Sequence, residues 1–107
     1  MPPDIITYRF RGNLVYVKPE LDYKVALNLA RSEFVELHGV SQHQIVFITY
    51  ASVAGQRTSV RISASAWAST VSAMLRGEIV DIEIMGNPDI FLIARRFHQY
   101  LKAIACM

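Results

Sequence analysis

The sequence predicts an α+β fold: a mixed sheet of four to five strands covered by one long helix, with a further helix at the C-terminus. Three observations lead there. Ile5 to Arg11 alternates apolar and polar residues and is followed by a turn dipeptide and a second short strand. A single long helical period starts after Asp22. The stretch from Ile45 to Met85 then reads strand, strand, short helix, strand.

In the first strand Ile6, Tyr8 and Phe10 fall on one face, and Thr7, Arg9 and Arg11 on the other. Gly12-Asn13 tolerates the positive φ of a tight hairpin turn, and Leu14 to Lys18 returns, closed by Pro19. Asp22 is a good N-cap for a helix to about Leu37, because its carboxylate can accept from free N–H groups of the first turn. Val25, Ala26, Leu29, Ala30, Phe34 and Leu37 form its apolar stripe, and His38-Gly39 its expected stop. Ile45 to Tyr50 is apolar, β-branched and aromatic, as a central strand would be.

A loop through Ala54-Gly55-Gln56 leads to a shorter strand over Thr58 to Ile62. Ser65 can cap a short helix from Ala66 to Arg76 that buries Trp67, Val71, Met74 and Leu75, with Gly77 as its stop. Ile79 to Met85 is the last strand, with Val80, Ile82 and Ile84 inward and Asp81 and Glu83 outward. This order fits a β-grasp sheet, in which the first and last strands lie side by side. Residues 1–86 form that domain. Asn87-Pro88-Asp89 then opens an amphipathic helix over 87–107, with Ile90, Ile93, Ala94, Phe97, Leu101 and Ile104 on one stripe. Such a stripe needs a covering surface, in this chain or in another.

With 107 residues and 52% hydrophobic side chains, the chain suffices for one packed domain. Residues 1–88 hold eight basic and eight acidic side chains; the net +2 comes from Arg95, Arg96 and Lys102 against Asp89. No basic stripe interleaved with aromatics is present, which argues against nucleic-acid binding. No apolar run approaches the ~20 residues of a membrane span, and Met1-Pro2-Pro3-Asp4 lacks the features of a secretory leader. The lone Cys106 cannot form an internal disulfide and stands too near the end for prenylation. A reducing compartment, cytoplasm or nucleus, is the expectation, with the cytoplasm preferred.

Nothing in the pattern assembles catalysis. His38, His43 and His98 show no metal-ligand spacing, the serines lack a nucleophile elbow, and the five glycines are single and widely spaced. The expectation is therefore a binding module rather than an enzyme, with no cofactor and no metal. Its candidate partner-binding residues are Arg9, Arg11 and Lys18. The two arginines are expected to project from one strand face, with Lys18 near enough to join them. Against ordinary edge-strand charge that discourages aggregation stands a basic docking face whose planar guanidinium forks engage carboxylates two at a time.

The string Tyr8-Arg9-Phe10-Arg11-Gly12-Asn13-Leu14-Val15-Tyr16-Val17 resembles the opening hairpin of Phox/Bem domains, which are ubiquitin-like interaction modules of oxidase regulators, polarity scaffolds and signalling adaptors. Leu21-Asp22-Tyr23 before the helix, Ile45 to Tyr50, and Ala66 to Ile84 extend the likeness over about residues 4 to 86. The resemblance implies a ubiquitin-like β-grasp fold and heterotypic pairing of a basic residue near the end of the first strand with an acidic loop of another domain. Arg11 matches the basic position best and Arg9 next. Arginine replaces the family's usual lysine, and the C-terminal helix exceeds its core. The segment Ala51 to Ser59, where an acidic loop would lie, has Arg57 and no acid, so the resemblance implies a basic-face-only module. Two other readings share the pattern: a Ras-type small-GTPase binding domain, and a homo-oligomer held by the C-terminal helix.

Overall fold

Alternation and turn chemistry build the sheet from its opening hairpin. The computed structural model describes residues 1–86 of the chain. It is α+β, with a five-stranded mixed sheet and two α-helices, and is compatible with a β-grasp arrangement. The strands are β1 (Ile6–Phe10), β2 (Asn13–Val17), β3 (Ile45–Val53), β4 (Gln56–Ile62) and β5 (Ile79–Ile84); the helices are α1 (Tyr23–Glu33) and α2 (Trp67–Ser72). The sheet order is β2-β1-β5-β3-β4, with β1 and β5 parallel and the other pairings antiparallel. The first and last strands do lie side by side. The expected helix over 87–107 lies outside the described residues.

Both hairpins turn through two residues, Arg11-Gly12 and Ala54-Gly55, closed by the pairs Phe10↔Asn13 and Val53↔Gln56. All four turn residues have positive φ: 49° at Arg11, 84° at Gly12, 51° at Ala54 and 80° at Gly55. That is the pattern of type I′ turns, whose twist matches that of the flanking strands. The first turn thus starts one residue earlier than the Gly12-Asn13 expected from sequence, because Gly fits the second position and Asn13 can pair. The second is tight where a loop was expected, so β3 and β4 are both longer than predicted. β5 pairs with β3 only over Ile45–Ile48, and the β3–β4 hairpin runs on past it as a two-stranded ribbon.

One face of the sheet carries the core. Ile6, Tyr8 and Phe10 from β1, Phe47 from β3, Ile62 from β4 and Val80 and Ile82 from β5 pack with Ala26, Leu27 and Ala30 of α1 and with Trp67 and Val71 of α2. Trp67 stacks on Phe47, ring centroids 4.4 Å apart, and its indole N–H donates to the Glu20 carbonyl at 2.7 Å. Burial pushes the Tyr8 phenol above its ordinary range, and the nearby Glu20 charge adds to that.

Asp22 caps α1 as expected, its carboxylate accepting from the Val25 N–H at 3.1 Å. The helix stops earlier than predicted, at Glu33. Phe34 turns extended (φ −119°) to bury its ring, and Val35–Leu37 forms a short 3-10 turn. Ala26, Ala30, Phe34 and Leu37 of the expected stripe are buried and Leu29 is partly so, while Val25 is exposed and Leu27 is buried in its stead. Ser65 does not cap α2, which begins at Trp67 after a 3-10 turn, and Leu75 beyond its end is exposed rather than buried. Gly77, at φ +79°, provides the sharp entry to β5.

Candidate functional site

The outer sheet face holds the polar arrangement expected to carry function. Among the described residues neither α-helix packs on it. Register lays out one row across all five strands: Leu14, Arg9, Asp81, Ile48 and Arg61. The parallel pairing of β1 with β5 sets Arg9 directly beside Asp81. Arg9 grips it with both prongs of its fork, Nε to Oδ1 at 2.6 Å and Nη2 to Oδ2 at 2.7 Å. The Tyr50 hydroxyl, from β3, donates to the same Oδ2, and the Arg57 guanidinium lies over the Tyr50 ring, 5.7 Å from its centroid.

The electrostatics follow this geometry. Hydrogen bonds from Arg9 hold the Asp81 carboxyl below its ordinary value, with Tyr50 adding to them against the cost of partial burial. Donation to Asp81 raises the Tyr50 phenol, and the Asp81 bonds fasten the Arg9 proton more firmly still. Three strands are thereby clipped across their outer surface. Asp81, expected from sequence only to point outward from its strand, is the acceptor at the centre of this cluster. Its single signal in the sequence was its position in a strand that would neighbour β1.

The three candidate residues do not form one patch. Arg9 is on the strand, and its charge is met by Asp81 of its own chain rather than standing free in water. Arg11 is not a strand residue: it occupies the first turn position, exposed, with its guanidinium 4.9 Å from the centroid of the Phe10 ring. Lys18 is exposed just past Val17, the partner of Ile6, at the opposite end of the hairpin. It lies four positions from Leu14, the partner of Arg9, or about 13 Å along the strand at ~3.3 Å per residue. The expected cluster of Arg9, Arg11 and Lys18 on one face is therefore corrected to three separate placements.

Two ion pairs occur among the described residues, Arg9 with Asp81 and Arg76 with Asp4 at 3.0 Å. Arg11 takes part in neither. The segment from Ala51 to Ser59 is a hairpin ribbon without an acid. Among the described residues no group of three metal-ligating side chains comes together, and no helix is long and apolar enough to cross a membrane. No protein-family model matches this chain, and no curated protein matches it in sequence.

Proposed function

We propose that residues 1–86 form a ubiquitin-like interaction module of the Phox/Bem kind, which binds an acidic loop of another protein domain through the tip of its first hairpin. The observation that carries the reading is Arg11: exposed at the turn, braced by the Phe10 ring, and paired with no carboxylate among the described residues. A braced guanidinium loses less side-chain freedom on binding than a free one. The strand order β2-β1-β5-β3-β4 with one long helix supports the ubiquitin-like assignment. The acid-free β3–β4 ribbon supports a one-faced module that does not chain with itself front to back. Arg9 serves the site from beneath by fixing the strand that presents Arg11. The role is binding, without catalysis, cofactor or metal, as part of a cytoplasmic signalling or scaffolding assembly.

The test is a pull-down from native extract with the wild-type chain, washed at low and at high salt, followed by titration of the captured domain. Charge-pair contacts weaken with salt, since exposed charges are screened over ~10 Å at 0.1 M. Arg11→Glu should lose the partner while its circular dichroism stays that of the wild type. Equal retention of the partner by Arg11→Glu overturns the proposal.

A further inference from the structure

Among the described residues the sheet has two edges, β2 and β4, and they are built differently. β4 carries Arg57 and Arg61 on its outer face. Antiparallel pairing of two β4 strands about Ser59 would set Arg57 of one copy opposite Arg61 of the other, and like charges directly opposed disfavour the contact. β2, Asn13-Leu14-Val15-Tyr16-Val17, has no charge, no proline and no bulge, the devices that usually blunt an edge.

The hairpin register says which backbone groups are free. In a two-residue hairpin the closing pair is hydrogen-bonded, and bonded pairs then alternate along the ladder. Asn13, Val15 and Val17 therefore direct their N–H and C=O toward β1. Leu14 and Tyr16 direct theirs to the open edge. Their side chains stand on the outer face, 58% and 74% exposed.

We propose that this edge pairs with β2 of a second copy of the chain, antiparallel about Val15, joining two five-stranded sheets into one. In that register Leu14 lies opposite Tyr16 of the second copy, and Tyr16 opposite its Leu14. These are the residues whose backbone groups have no ladder partner among the described residues, so four hydrogen bonds form and two aliphatic–aromatic pairs close over them. The same register brings Arg11 level with Pro19 of the second copy, flanked equally by its Lys18 and Glu20, so the charges beside the strand neither favour nor oppose it. The contact rests on the strand backbone and not on Arg11 binding a foreign acid, so it stands or falls separately from the function proposed above.

A five-residue edge buries less than the ~1,200 Å² of a standard interface, so the dimer is a weak one. Sedimentation of the full chain should show the dimer rising from under a tenth at about 10 µM to more than half at about 1 mM. Hydrogen exchange should show protection of the Leu14 and Tyr16 amides increasing with concentration, while the Val15 amide is protected throughout and the β4 edge does not change. Leu14→Pro removes only an outward-facing donor, as edge strands tolerate, and should weaken association at least about tenfold. Tyr16→Lys, which sets a charge against Leu14 of the second copy and retains the donor, should do the same if the proline variant unfolds. A chain that stays monomeric to about 1 mM, a dimer that survives Tyr16→Lys, or new protection at β4 instead of β2 overturns the proposal.

Discussion

Truncating Trp67 is the sharpest probe of the core. The indole is wholly buried, stacks on Phe47, meets the edge of Tyr23 at 6.0 Å, and ties the Glu20 carbonyl to α2. Trp67→Phe keeps an aromatic ring against Phe47 but loses the hydrogen bond, worth about 1 kcal/mol, and part of the ring volume, for a total of about 2 kcal/mol. Trp67→Ala loses the aromatic pairs as well and opens a cavity, at about 4–5 kcal/mol. A domain of this size has roughly 4–13 kcal/mol in all, so the alanine variant should retain little margin. Urea unfolding followed by far-ultraviolet circular dichroism measures this, because the variants lack the chain's one tryptophan. With a slope near ~1 kcal/mol per M, the phenylalanine variant should lose about 2 M from its midpoint. A loss below about 0.5 M in the alanine variant would refute the packing described for this ring.

Asp81 ties stability to acid. Its folded pKa is depressed, so its contribution is fully present above the unfolded value and is lost as pH falls through the lower folded one, below about pH 4. Asp81→Asn should flatten that limb of the stability curve and return the Tyr50 phenol toward its ordinary range in an ultraviolet titration; an unchanged limb would show that Arg9 and Asp81 are not coupled. At the hairpin tips, Arg11→Asn and Ala54→Asn each install the residue that type I′ turns prefer at positive φ and should stabilise by about 0.5–1 kcal/mol. Thermal melts check this, and only Arg11→Asn should weaken acidic-partner binding; two destabilised variants would contradict the turn assignment.

Much of the fold was legible in local signals. Strand alternation set the faces of β1 and β5, Asp22 declared the start of α1, and the apolar run from Ile45 located a central strand. What escaped depended on contacts between distant segments. Phe34 leaves the helix because its ring is worth more in the core than another helical turn, and no local preference records that trade. Leu75 looked like the next member of the Trp67–Val71 stripe, yet α2 ends at Ser72 and Leu75 is released to solvent. At the candidate site, the sequence marked Arg9 as an outward cation but could not show Asp81, 72 positions away, facing it. A one-residue error in the hairpin turn was enough to misplace Arg11 on a strand face.

The β3–β4 ribbon has a practical use. Among the described residues β3 has a ladder neighbour on one side only beyond Ile48, and the tip at Ala54-Gly55 lies about 20 Å further along the strand at ~3.3 Å per residue. Added chain at such a tip costs only loop-closure entropy, about 0.6 kcal/mol for each doubling in length. An epitope or fluorophore peptide spliced between Ala54 and Gly55 would label the molecule there while leaving the first hairpin bare, which makes the ribbon a natural handle for tethering it to a surface.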